Sequence, residues 1–303
     1  YPTACLTKKL EGINMSEFGL LQKKGIIAFT DGYKTIQNTR IMSRIMKSAF
    51  DLNSLIIQHA EDYELSKDGL INDGIISTKL GLQGIPDIAE KIIIERDLTL
   101  LEDFNCRYHI SQLSSSKSVD VIKSRKEKIK FSSGVSINNL SLNENDIGDF
   151  RTFFKLSPPL RTEEDRMSLV EGVKNGYIDV IVSDHKPEDE EQKRITFYQA
   201  ATGASSIETL LPLSLELFHN ESLKLSKIIS CLTTNPAKIL KINKGSLKIG
   251  NDADFCIVDI YKPWIVKKEN LVSKSKNTCI EGKKLQGKVL NTFVNGKELY
   301  RTN

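Results

Sequence analysis

Histidine is scarce in this 303-residue chain, and two of its four histidines stand where short apolar runs stop. His59 closes Ser54-Leu55-Ile56-Ile57-Gln58-His59, and Asp184 with His185 closes Val180-Ile181-Val182-Ser183-Asp184-His185. Imidazole and carboxylate groups are zinc donors and proton carriers. Placed at the C-terminal ends of successive parallel strands, they are how a (β/α)₈ barrel builds an active site. These types in these positions predict metal-assisted hydrolysis, in which zinc lowers the pKa of bound water to about 7 and an aspartate moves the proton. The same reading exposes a deficit. A catalytic zinc takes three protein ligands, and the further imidazoles are hard to find here.

The elements that must position these groups alternate. Apolar runs at 2–6, 25–29, 54–59, 107–113, 130–135 and 179–183 read as strands. Between them, 37–50, 87–104, 116–125 and 163–175 read as helices. Strands alternating with helices imply βα units on a parallel sheet. Gly84-Ile85-Pro86 followed by Asp87 is a breaker and then a capping residue. Thr162 followed by Glu163, Glu164 and Asp165 is a hydroxyl cap with acids at the positive end of the helix dipole. Beyond residue 243 the chain turns to short strands with turns such as Asn295-Gly296. The expected organisation is a TIM barrel over 1–243 and part of a β-sandwich over 244–303. Only about six barrel strands are visible, so roughly two should precede Tyr1 if the barrel closes.

Composition narrows the class. Hydrophobic residues make up 39% and charged residues 27%, as in a soluble globular protein. The net charge of +4 is small and spread out. Its densest basic stretch, 123–130, lacks interleaved aromatics and reads as a solvated helix face, which argues against nucleic acid as a partner. No apolar run is long enough to span a bilayer. Five cysteines without a C-x-x-C spacing suggest reduced thiols and a cytoplasmic setting. Trp264 reads as an anchor of the β-unit, and His219, near a helix end, as solvated.

Several segments, in order, resemble the dihydroorotase branch of the amidohydrolase superfamily. They include Ala28-Phe29-Thr30-Asp31-Gly32, Gln58-His59-Ala60-Glu61-Asp62, Gly81-Leu82-Gln83-Gly84-Ile85-Pro86, Ser157-Pro158-Pro159-Leu160-Arg161-Thr162 and Ser183-Asp184-His185. Thr234-Asn235-Pro236-Ala237 and Gly250-Asn251-Asp252-Ala253-Asp254 continue the series. The resemblance implies an amidohydrolase-type barrel with a composite β-sandwich, one or two zinc ions, and reversible hydrolysis of dihydroorotate to carbamoyl aspartate in pyrimidine synthesis. It implies His59 as a zinc ligand, Asp184 as ligand and general base, and Asp31 as an acidic metal contact. It places Ser157 and Gly203 at the substrate.

The departures from that pattern fall on the chemistry. In Tyr108-His109-Ile110-Ser111-Gln112-Leu113 the family has histidine at both His109 and Gln112, the second being the metal ligand, and an amide is a poor zinc donor. Strand alternation sends residues three apart to opposite faces, so His109 reads as structural. Asn138 and Asn139 stand for a family pair of histidines, Ser157 for a substrate-contacting asparagine, and Glu188 for a histidine after Asp184. Glu188 puts negative charge where a carboxylated substrate would dock. The family's leading His-x-His pair is not in this sequence. The chain therefore resembles the degenerate, non-catalytic dihydroorotase homologues that accompany aspartate carbamoyltransferase. Weak or absent zinc binding and an oligomer with that transferase are expected. The rival expectation is an active zinc dihydroorotase; a hydantoin-type hydrolase fits Pro158-Pro159-Leu160-Arg161 less well.

Overall fold

A computed structural model describes residues 1–302 of the chain. Its strands are β1 (Thr3–Ala4), β2 (Ala28–Phe29), β3 (Leu55–Gln58), β4 (Ile71–Asn72), β5 (Gly84–Ile85), β6 (Arg107–Leu113), β7 (Ser132–Ser136), β8 (Val180–Val182), β9 (Phe255–Ile265), β10 (Lys284–Val294) and β11 (Lys297–Arg301). Six of them form one sheet in the order β1-β2-β3-β6-β7-β8, every pairing parallel. Each of the six expected strand runs overlaps one of these strands. Six is two short of a closed eight-stranded barrel, and β1 and β8 form the free edges of the sheet. Strands β4 and β5 pair separately beside it.

Helices between the strands cover the sheet. Thr39–Asp51, Ile88–Phe104, Ser116–Arg125 and Glu163–Asn175 lie where the sequence predicts them. Ile56, Tyr108, Ile110 and Val135 of the strands are buried with Met42, Ile45, Ile94, Leu98, Ile122 and Val173 of these helices in one core. Each such side chain contributes about 1.5–3 kcal/mol on leaving water. That burial, rather than two-residue ladders such as β1 and β2, holds the sheet edges in place. Thr162 caps its helix as expected: its hydroxyl accepts the Asp165 N–H at 3.1 Å, and the Asp165 carboxylate accepts the Thr162 N–H at 3.2 Å. Asp87 does not cap. Its backbone is already helical, and its carboxylate pairs with Lys117 Nζ at 3.0 Å instead.

The C-terminal part is an antiparallel sheet, β9-β10-β11, with Asn295-Gly296 as its two-residue hairpin turn. Both turn residues have positive φ, 50° and 74°, the geometry this pair favours. Trp264 donates its indole N–H to Gly287 O at 3.1 Å, tying β9 to β10. His219 is partly exposed, and its Nε2 pairs with Ile260 O at 2.9 Å, joining the helix Leu210–His219 to β9. The five cysteines are free thiols, and no described helix is long and apolar enough to cross a membrane.

Candidate functional site

Asp184 follows β8 with its backbone in the left-handed region, at φ +49°. One oxygen of its carboxylate, Oδ1, accepts two hydrogen bonds: from Tyr33 Oη at 2.8 Å and from Gln112 Nε2 at 2.6 Å. Tyr33 comes from the loop after β2 and Gln112 from the end of β6, so three strand ends meet on one atom. The Tyr33 ring also stands edge-on to His59, 6.0 Å between centroids, which puts His59 and Asp184 at the same mouth. Burial pushes the Asp184 carboxyl up from its ordinary range, against the pull of the two donors. Burial, then the Asp184 charge, drives the Tyr33 phenol upward.

Gln112 reaches Asp184 because β6 is bulged. Ile110 pairs with Ser133 and Leu113 with Val135, so three steps along β6 match two along β7. Gly134 makes room for the bulge, since a Cβ there would lie 2.5 Å from Ser111 O. Simple alternation would send His109 and Gln112 to opposite faces, but the bulge places both on the sheet face that carries the mouth. His109 remains deeper, its Nδ1 paired with Ser132 Oγ at 2.8 Å.

His59 is 2% exposed, and both of its ring nitrogens are buried without a hydrogen-bond partner. Burial lowers its pKa to about 4, against the nearby Glu90 charge; His109 falls to about 4 through burial and then Lys126. Both folded values lie below the unfolded one of about 6.5. The unfolded chain therefore binds more protons between these values, and stability falls as pH drops through that window. We expect a loss of about 2 kcal/mol per imidazole between pH 7 and pH 5. Urea midpoints at the two pH values check this, and His109→Gln should remove about half of the difference.

The other predicted residues are engaged elsewhere. Asp31 is 3% exposed and both its oxygens accept from Thr7, one from the backbone N–H at 3.0 Å and the other from the hydroxyl, so it pins a turn. Asn138 Nδ2 donates to Ser206 Oγ at 3.1 Å, and Asn139 Nδ2 to Pro159 O at 2.9 Å. Ser157 is half-buried just before Pro158. The Glu188 carboxylate lies 3.6 Å from Lys186 Nζ, which balances its charge. Gly203 has φ +137°, and a Cβ there would lie 2.7 Å from Lys186 O. Its N–H goes to Lys155 O at 2.9 Å and its carbonyl to Asn277 Nδ2 at 3.1 Å, so both backbone groups serve loop packing. His185 Nδ1 accepts the N–H groups of Ser206 and Ile207 at 3.1 and 3.3 Å, which leaves its ring proton on Nε2.

Two features escaped sequence reasoning. One is Tyr33, whose contact with Asp184 spans 151 residues and leaves no local signal. The other is a buried ionic network beneath the mouth. Glu90, 2% exposed, accepts the Ser114 and Ser115 N–H groups at 3.1 and 3.3 Å. Arg161, 4% exposed, donates to Ser114 Oγ at 2.7 Å, Asn72 Oδ1 at 2.8 Å and Ile85 O at 3.0 Å. Asn72 donates onward to Glu144 at 2.7 Å. The Pro158-Pro159-Leu160-Arg161 segment was the available clue, because a buried arginine requires such partners.

Against this geometry the comparisons are specific. Residues 22–299 match the model of the amidohydrolase family. The chain belongs to that family. Among its relatives is the dihydroorotase of Ehrlichia canis (strain Jake), 41% identical over 289 residues, covering 95% of this chain and 65% of that protein. The dihydroorotase of Syntrophus aciditrophicus (strain SB) is 40% identical over 302 residues, covering 99% and 71%. The chain thus spans about two thirds of the length of such relatives, and it is a dihydroorotase-like amidohydrolase. The L-hydantoinase (dihydropyrimidinase) from Arthrobacter aurescens superposes with a TM-score of 0.83 over 94% of this chain and 67% of that one, at 24% identity, which supports the barrel fold.

Zinc, implied by the family resemblance, can be tested against the donors. The orphaned imidazole of His59 fits a metal ligand, since an unpaired buried nitrogen costs about 1–3 kcal/mol. The rest does not fit. Asp184 is bound by an amide and a phenol, Asp31 by Thr7, and no three His, Cys, Asp or Glu side chains converge among the described residues. The residues present do not make a three-ligand zinc centre.

Proposed function

We propose that this dihydroorotase-like amidohydrolase is catalytically degenerate and serves as a structural partner of aspartate carbamoyltransferase in pyrimidine synthesis. The observation that carries this reading is the 2.6 Å hydrogen bond from Gln112 Nε2 to Asp184 Oδ1. At this position the family resemblance places an imidazole ligand; here an amide donates to the carboxylate that would bind metal and move the proton. A donor N–H facing Asp184 supports a hydrogen-bonded site and opposes shared coordination of a cation. The scaffold is kept: the helix caps, the buried Arg161 network and the C-terminal sheet are all formed. Fold without chemistry suits a surface role.

The test is co-elution. Mixed at micromolar concentration with aspartate carbamoyltransferase from the same source, the protein is expected to shift into a larger species on size exclusion and to raise the transferase's melting point. Separate elution with an unchanged transferase refutes the partner role.

One observation favours a second reading. Both His59 nitrogens are buried without a protein partner, as in an active zinc dihydroorotase whose histidine pair lies outside these residues. Zinc bound stoichiometrically through His59, with turnover of dihydroorotate, would decide for it.

A further inference from the structure

We infer that the Tyr33–Asp184–Gln112 contact is a clasp that does structurally what a metal ion does at such a mouth: it cross-links three strand ends. The inference rests on the reading of this site as one without a metal centre. Tyr33 extends from the loop after β2, Gln112 from the end of β6, and Asp184 from just beyond β8. In the sheet order, β2 and β8 lie next to opposite edges or at one, with β6 between them, and no ladder joins them. The two hydrogen bonds, 2.8 and 2.6 Å, therefore link parts of the open sheet that no backbone pairing connects. Lys186 lies 4.9 Å from the centre of the Tyr33 ring, adding a cation on its face. Asp184 is half-buried, and hydrogen bonds to a carboxylate are among the stronger ones.

A clasp and a metal ligand respond differently to one substitution. Asp184→Asn keeps an oxygen that accepts from Tyr33 and Gln112, whereas Asp184→Ala removes it. Asn is a weak metal donor, so the same change would empty a metal site. The intact chain and its Tyr33→Phe, Asp184→Ala and Asp184→Asn variants are melted at one scan rate, with and without a chelator. The expected result is a midpoint lowered by about 2–5 °C in Tyr33→Phe and Asp184→Ala. Asp184→Asn should stay close to the parent, and chelator should change nothing. Tyr33 is 40% exposed, so its phenylalanine variant keeps the ring contacts and remains folded if Asp184→Ala does not. Unchanged midpoints in both lowered variants, without a chelator effect, overturn the clasp and leave the proposed function standing. A chelator-dependent midpoint in the parent, with a cobalt(II) absorption band that Asp184→Asn abolishes, overturns both.

Discussion

Supplied with zinc and with dihydroorotate or carbamoyl aspartate, this protein is expected to turn over at least about 10⁴-fold more slowly than a dihydroorotase with a complete metal centre measured beside it. Loss of a positioned base alone costs about 10²–10⁴-fold. Here the carboxylate that would be that base is held by Tyr33 and Gln112, and its neighbours supply no second or third imidazole. Gln112→His should not restore the rate by itself, because one added ligand beside His59 still leaves the donor set incomplete. Coupled assays in both directions check this. A rate within tenfold of the reference enzyme, abolished by chelator, would sink the degenerate reading.

The largest stability effect is expected at Arg161. Replacing it with methionine keeps much of the side-chain volume but removes the donors to Ser114, Asn72 and Ile85. Glu90 and Glu144 then remain buried without the nearby cation. Arg161 meets Glu90 through Ser114 and not in a direct ion pair, so the loss is that of three donors to buried acceptors, about 3–5 kcal/mol, or roughly 5–8 °C in a chain of this size. Denaturation midpoints for Arg161→Met, Glu90→Gln and the double variant test it. The double variant should recover part of the loss, since the carboxylate charge has gone too. Equal midpoints for parent and Arg161→Met would show that water or another group already satisfies Glu90.

How much of this was legible in the sequence follows from which signals are local. The six strands and the four main interleaved helices were, because apolar runs, the Thr162 cap and the breakers report on residues close in the chain. The helices Leu210–His219, Leu225–Leu232 and Thr234–Leu240 were not singled out. Pro212 and the continuous leucines of the first obscure its period, and the last two are only eight and seven residues long. Asp87 shows the limit of capping rules: its residue type is right, but Lys117 offers a better partner. At the site, His59 and Asp184 were visible as polar residues closing apolar runs. Tyr33 was not, and neither was the face of His109. The first depends on a contact between distant loops, the second on an irregularity in pairing that residue types do not announce.

That irregularity makes the mouth sensitive to chain length as well as to chemistry. A strand presents alternate residues to alternate faces, so its extra residue in β6 acts as a phase shift. Deleting Ser111 would bring β6 back into step with β7 and leave Gln112 two places after His109, where plain alternation keeps both on the mouth face. One lost codon would then remove the bulge and still leave an amide facing Asp184. The face shown by Gln112 is therefore a matter of counting along β6, and the length of that strand carries structural information that residue types do not.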